Sequence, residues 1–418
     1  MTAAEGHGAM TAAVGSGATT VVEGRIAGTA SSARVTVRGG RIHRIERLTG
    51  DAAAVIVPGL VDAQINGYEG HDVNDEHVDG GTIRRMAAAL WARGVTTFLP
   101  TVITAEEERI VGSLRAVRDA RALHPVLGHA VHGAHVEGPH LSAGDGARGA
   151  HDPARMRPAD VAEFHRWRQA AGGIVRIVTV APEVAGAVEY IRQVSLECLV
   201  ALGHSSANAA EALAGADAGA RLSTHLGNGV ARTLPRHPNL VWEQLADPRL
   251  SAGFIADGHH LDAAAFGAMV RAKGVDRSLL VSDAVALASA GRPPGDYRTP
   301  VGGEVTLHEG RRLTLRGSEL LAGAVKTLDE CLSWAVAAAG IPLADAVRMA
   351  SENPAALLGL TTRGRLQSGA AADLTVYDDE PSIGRTPANV TIVAGTCVHR
   401  GPSDAGLAEL GEIPEELR

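Results

Sequence analysis

The sequence predicts an α/β chain: a (β/α)8 barrel, with a small β-sandwich assembled from its two ends. Three observations predict it. Eight short apolar runs recur through the middle of the chain, at residues 60–65, 95–99, 131–136, 175–181, 198–203, 221–225, 251–256 and 279–283. Helical stretches such as TIRRMAAALWARG, SANAAEALAGADAG and LDAAAFGAMVRAKG separate most of them. Both ends carry a different texture, rich in β-branched residues and glycine turns: TTVVEGRIAG, ARVTVRGGRIHRIE and AAVIVPG early, GRLQSGAAADLTVYDDE and NVTIVAGTCVHRG late.

Alternating strand and helix implies parallel βαβ units, and eight strands is the number that closes a barrel. A doubly wound open sheet is the competing arrangement. No Gly-x-Gly-x-x-Gly follows the first strand, which weakens a dinucleotide-binding version. The expected division is a flexible tail over 1–18, a sandwich from 19–57 and 362–405, and a barrel over 58–361. After residue 325, KTLDECLSWAVAAAG, LADAVRMAS and NPAALLGL read as helices that close or cover the barrel.

Composition narrows the function classes. With 418 residues, 45% of them hydrophobic, the chain can bury a large core. Lys plus Arg number 39 against 47 Asp plus Glu, a formal charge of −8, and no basic stretch stands out. A nucleic-acid surface, which needs clustered positive charge, is not expected. Nor is a membrane span, since no apolar run approaches the roughly 20 residues required. The N-terminus lacks a charged segment followed by an apolar one, so it does not read as a secretory signal. Cys198, Cys331 and Cys397 are scattered, which fits a reducing cytoplasm. An acidic chain binds an anionic substrate only through a local pocket of Arg, His and backbone N–H groups.

The polar residues of interest follow the same end of the strands: Gln64 and Asn66 after the first, Glu137 after the third, His204 after the fifth, His225 after the sixth, His260 after the seventh and Asp283 after the eighth. Strand C-termini form the catalytic face of a barrel. One carboxylate and two imidazoles leave a metal open to water or a substrate oxygen, and an Asp on the last strand can shuttle a proton. Taken singly each residue has a bland reading: a strand-end His is often structural, and Asp283 can cap a helix. Together they indicate metal-assisted hydrolysis.

The ordered segments PGLVDAQINGYEGHDVND, GVTTFLPTVIT, HVEGPHLS with RGAHDP, GHSSANAAEALAGADAGARLSTHLGN, IADGHHLD, LLVSDAVALA, LLAGAVKTLDE and MASENPAALLGL resemble those of N-acetylglucosamine-6-phosphate deacetylases, in the amidohydrolase superfamily. The resemblance spans nearly the whole chain after the tail. It implies a distorted barrel, usually a homodimer, holding one divalent metal ion per subunit: zinc by default, with iron(II) or another divalent ion compatible. It implies Glu137, His204 and His225 as metal ligands, Gln64 holding a water beside the metal, and Asp283 as general base and acid. It implies His151 as a second catalytic residue, which with Ala150 meets the acetyl or sugar end. Asn228, Gly229, Arg236 and His260 meet the phosphorylated sugar, with Arg236 reaching its own or a neighbouring subunit's site. Leu321, Ala322 and Gly323 line the sugar pocket. Gln64 and Asn66 stand where many amidohydrolases carry His-x-His, so a single metal is expected. The glycines of Leu226-Gly227-Asn228-Gly229-Val230 depart from the family's bulkier stretch and are expected to loosen the phosphate pocket. The implied reaction is deacetylation of N-acetylglucosamine 6-phosphate. The alternatives are the galactosamine epimer, another N-acyl substrate, or a barrel without catalysis.

Overall fold

The computed structural model describes residues 19–288, 291–402, 407–409 and 413–417; the expected tail lies outside them. Strands β1 (Thr20–Ile26), β2 (Ser32–Arg38) and β3 (Arg41–Arg47) form an antiparallel meander, and β4 (Val55–Pro58) runs parallel to β1. The eight strands that follow are β5 (Leu60–Ile65), β6 (Val95–Ile103), β7 (Ala134–Glu137), β8 (Val175–Val180), β9 (Leu199–Leu202), β10 (Leu222–Ser223), β11 (Ser251–Ile255) and β12 (Ser278–Val281). They pair in chain order and all in parallel. A doubly wound sheet would reverse its strand order at a switch point; this one does not.

Every residue of β5 is buried, as a parallel strand covered on both faces requires. Helices supply the outer cover, and their starts follow local chemistry. Asp79 accepts from Thr82 N ahead of Gly80–Trp91. Asn208 and Glu211 form a reciprocal capping box ahead of Ala209–Ala218, which stops at Gly219.

Between β12 and β5 there is no strand ladder among the described residues. Isolated bonds close the seam instead: Asp283 N donates to Gln64 O (2.9 Å), Asn66 N to Ala284 O (2.8 Å), and Ser282 N to Asp62 Oδ1 (3.2 Å). This is the distortion of the barrel, and it sets the end of the first strand beside the end of the eighth.

A three-stranded antiparallel sheet, β13 (Gly295–Thr299), β14 (Gly303–Leu307) and β15 (Leu313–Leu315), follows the barrel. It was not expected, because β13 is mostly exposed and carries no apolar alternation. Then come β16 (Leu374–Tyr377), β17 (Val390–Val393), β18 (Thr396–Arg400) and β19 (Leu407–Glu409). β16 pairs with β4, so both chain ends share one sheet, ordered β18-β17-β16-β4-β1-β2-β3, with β19 also on β1. The sheet curls so that β3 reaches the segment leading into β16: Ile42 N donates to Ala370 O at 2.9 Å. Val22, Val35, Ile42, Val376 and Ile392 pack inside the curl, while Val57, Tyr377 and Val393 join the barrel's own core.

Gly364 marks where the chain turns toward the second half of this sheet. Its φ is +68°, and an added Cβ would lie 2.5 Å from Ser351 O. Gly364→Ala is therefore expected to cost at least about 1–2 kcal/mol, from the left-handed backbone and the clash together. A thermal melt should show a drop of a few degrees. Among the described residues no helix is long and apolar enough to cross a membrane.

Candidate metal centre and catalytic site

The strand ends bring one carboxylate and two imidazoles together, and the loop after β7 adds a third imidazole. Glu137 closes β7, and its Oε1 lies 3.1 Å from His225 Nε2 and 3.4 Å from His204 Nε2. The two Nε2 atoms are 3.1 Å apart. A tetrahedral ion with bonds of about 2.0–2.1 Å demands ligand separations of about 3.3–3.4 Å, so this triangle fits a bonded divalent ion. The orientation fits too. His204 Nδ1 donates to Ala147 O at 2.9 Å, which leaves Nε2 as the unprotonated donor. His225 Nδ1 is buried with no partner.

His151 offers a further donor. One donor atom each from Glu137, His151 and His204 lies within 4.8 Å of the others, with His151 Nε2 3.8 Å from Glu137 Oε2. The set with His225 is tighter and better suited to direct bonding. His151 Nδ1 meets Thr104 Oγ1 at 2.9 Å, and that hydroxyl donates onward to Glu137 O. His151 is thus the N–H donor in that contact, and its Nε2 faces the site as an acceptor. Burial first, then the neighbouring His204, pushes its pKa down to about 3, so the ring is neutral.

Burial alone would raise the Glu137 pKa, but hydrogen bonds and charge from His204 and His225 outweigh it and hold the carboxylate well below its usual range. Burial likewise opposes the charged form of His225, and the bond to Glu137 raises its pKa. Asp283 moves the other way: burial, then repulsion from Glu137, raises it to about 6. As an ionised base it is expected to give an acid limb, with kcat/KM falling about tenfold per pH unit below a midpoint at or under pH 6. A cation at the Glu137 corner pulls that midpoint down. A pH–rate profile from 4 to 9 tests this, and activity rising toward pH 4 would contradict it.

Backbone strain concentrates at this site. Of the described non-glycine residues with positive φ, three are His204 (+50°), His225 (+27°) and Asp283 (+47°). Such conformations cost about 1–3 kcal/mol each and persist where the surroundings fix them. Gly229 is part of that fixing: with φ at +58°, an added Cβ would sit 2.9 Å from His204 Nδ1. Gly229 therefore does not loosen the pocket; glycine is required there by close approach to an imidazole.

The residues surround a cavity of about 300 Å³, a volume suited to a small ligand. Of the residues expected from sequence, Glu137, Ala150, His151, His204, His225, Asn228, Gly229, His260, Leu321, Gly323 and Asp283 line it. Gln64 lies just behind, donating from Nε2 to Glu137 Oε1 (2.9 Å) and to Asp283 Oδ1 (3.3 Å). Ala322 is fully buried outside the lining. Arg236 is exposed and does not line the cavity. The arginine that does is Arg232, whose exposed side chain pairs through Nε with Asp145 at 2.7 Å on the glycine-rich loop. Asn228 Nδ2 is buried without a partner.

Sequence reading missed Arg232 and Thr104, and placed Asp257 at a strand end without a role. Asp257 takes the His260 Nδ1–H at 2.8 Å and the backbone N–H groups of His259 and His260. Burial opposes its charge, but His260 overcomes this and holds its pKa below the usual carboxylate range. His260 Nε2 is thereby left for the cavity. The only available signal was the Asp-Gly-His-His spacing, an Asx turn that joins the pair locally.

The family model for the amidohydrolase family matches residues 55–401. The chain belongs to the amidohydrolase family. This amidohydrolase is 34% identical to a Bos taurus N-acetylglucosamine-6-phosphate deacetylase over 372 residues, covering 82% of this chain and 87% of the relative. It is 33% identical to an N-acetylgalactosamine-6-phosphate deacetylase of Escherichia coli O157:H7 over 328 residues, 78% and 84% of the two chains. In three dimensions it is similar to the N-acetyl-D-glucosamine-6-phosphate deacetylase of Mycobacterium smegmatis, with a TM-score of 0.80 and 29% identity, covering 91% of this chain and all of that one. The amidohydrolase is a metal-dependent hydrolase with a distorted (β/α)8 barrel.

Proposed function

We propose that this amidohydrolase removes the acetyl group of N-acetylglucosamine 6-phosphate, giving glucosamine 6-phosphate and acetate. The observation that carries the reading is the Glu137–His204–His225 triangle with Asp283 beside it in one cavity. Relatives named for this reaction align over most of the chain. The ion is one divalent metal per subunit, zinc by its two-imidazole, one-carboxylate donor set, with iron(II) the other candidate. The working form in this proposal is a cytoplasmic homodimer.

Held by Glu137, His204 and His225, that ion supplies Lewis-acid polarisation of the acetamide carbonyl and a lowered water pKa. The chain's own residues do the rest. Ionised Asp283 accepts a proton from water as the water oxygen attacks the carbonyl carbon. Protonated Asp283 then delivers that proton to nitrogen as the C–N bond breaks. His151, neutral and fixed by Thr104, faces the acyl end, while Gln64 holds Glu137 and Asp283 at their set spacing.

The phosphate end falls to Asn228, the Gly229 backbone, His260 and Arg232, with Arg236 contributing from a second subunit. A relative named for the galactosamine epimer matches at almost the same identity, which favours that sugar as the second reading. Acetate release from both epimers, with and without the 6-phosphate, on metal-analysed protein decides between them. Arg232→Ala is expected to raise KM for the phosphorylated sugar about 10–100-fold, as loss of a charge-assisted hydrogen bond, and to leave the unphosphorylated sugar nearly unaffected. Equal effects on both would remove Arg232 from the phosphate. Failure to release acetate from any member of the panel would remove the reading itself.

A further inference from the structure

Asn66 lies just beyond β5, lines the cavity and is 2% exposed. Its Nδ2 donates to Asp283 Oδ1 at 2.9 Å, and Gln64 Nε2 reaches the same oxygen at 3.3 Å. Two N–H donors on Oδ1 favour the bare oxygen there. Oδ2 is then the oxygen that exchanges a proton. The other end of the Asn66 amide differs: Oδ1 is buried and has no hydrogen-bond partner. Buried acceptors are almost always satisfied, so one left open at a cavity wall points to a donor brought by the ligand. Flipping the amide does not relieve it, because the oxygen would then face the Asp283 carboxylate.

A substrate cleaved at an amide brings such a donor, the N–H of the scissile bond. We propose that Asn66 is a positioning residue for amide cleavage, holding Asp283 through Nδ2 and accepting the substrate N–H at Oδ1. This rests on the amide-hydrolysis reading above. Water gives its oxygen to the acyl carbon and one proton to Asp283 Oδ2. As the carbonyl re-forms, the C–N electron pair goes to nitrogen, which takes the proton from Oδ2, and Asp283 returns ionised. With its N–H turned to Asn66, the nitrogen develops its lone pair on the face open to Asp283. Asn66 thus couples the acid to the leaving group, beyond what the metal ligands and Asp283 supply.

The test compares two substrates on one protein: the 2-acetamido 6-phosphosugar and its analogue with an acetate ester at the same carbon, which has no N–H to donate. Asn66→Leu removes two contacts for the amide and one for the ester. At about tenfold per hydrogen bond, kcat should fall about 100-fold on the amide and about tenfold on the ester, with KM changed less than kcat. The amide-to-ester ratio therefore drops about tenfold. That ratio does not depend on the fraction of protein folded or metal-loaded, and Asn66→Ser gives the same reading if the Leu variant is unstable. An equal fall on both substrates, or none on either, overturns the inference while leaving the deacetylase reading intact. A wild-type protein inert toward both overturns the two together.

Discussion

Asp283→Asn is expected to lower kcat by about three to four orders of magnitude while one metal ion per chain is retained. General acid–base groups contribute about 10²–10⁴-fold, and Asp283 sits at the upper end because it serves twice, in attack and in nitrogen protonation. The substitution is close to isosteric. The Asn oxygen can still accept from Asn66 Nδ2 and Gln64 Nε2, the two bonds that fix Asp283 Oδ1. The seam bond from the residue 283 N–H to Gln64 O is a backbone contact and survives. Elemental analysis beside steady-state acetate release reads both halves of the expectation. Loss of metal in this variant would mean that Asp283 is a ligand; retained turnover would mean that the proton travels elsewhere.

Removing the carboxylate is expected to remove the metal. In Glu137→Ala the triangle loses the oxygen that both His204 and His225 face. Outer partners of metal ligands alone cost about 10–100-fold in affinity or activity, so a direct ligand should cost more than about 100-fold. Metal content should fall well below one per chain, and turnover should match that of chelated wild type. Excess zinc should rescue it only in part. Glu137→Gln separates charge from shape, since it keeps an oxygen at the same reach without the negative charge that raises the His225 pKa. Full metal occupancy in the Ala variant, with less than a tenfold loss of turnover, would take Glu137 out of the ligand set.

Much of the fold was legible because the signals were local. The strand runs were readable as apolar segments between helical ones, and the observed strands fall within a few residues of them. The start at Asn208 with Glu211 follows from capping chemistry three residues apart. The third strand begins later than expected, at Ala134, because Val131, the first residue of the run, ends the helix Pro125–Ala130, its N–H bonded to Leu127 O. Lys273 reads as a solvated helix face, yet it is buried, with Nζ donating to the carbonyls of Gln244 and Asp247 at the end of the helix Leu240–Ala246. Nothing in its neighbours announces that contact.

The site divides the same way. Residues at strand ends share one mouth by topology, so Glu137, His204, His225 and Asp283 could be gathered before any coordinates. Loop residues follow no such rule. Arg232 and Arg236 stand four positions apart in one loop, and only the path of that loop decides which arginine borders its own cavity. Gly229 looks like slack in the sequence; what it accommodates is the imidazole of His204, twenty-five residues upstream.

The pairing of β4 with β16 carries a consequence for biosynthesis. β16 is made about 320 residues after β4, which at about 5–20 residues per second is an interval of roughly 15–60 s. Throughout it, the apolar strand that leads directly into the barrel has an open edge on the ribosome, and open edges invite pairing with other chains. The nascent chain thus depends on its last quarter to shield its first. Truncation from the C-terminal end should show itself as aggregation during synthesis before it shows as a loss of catalysis.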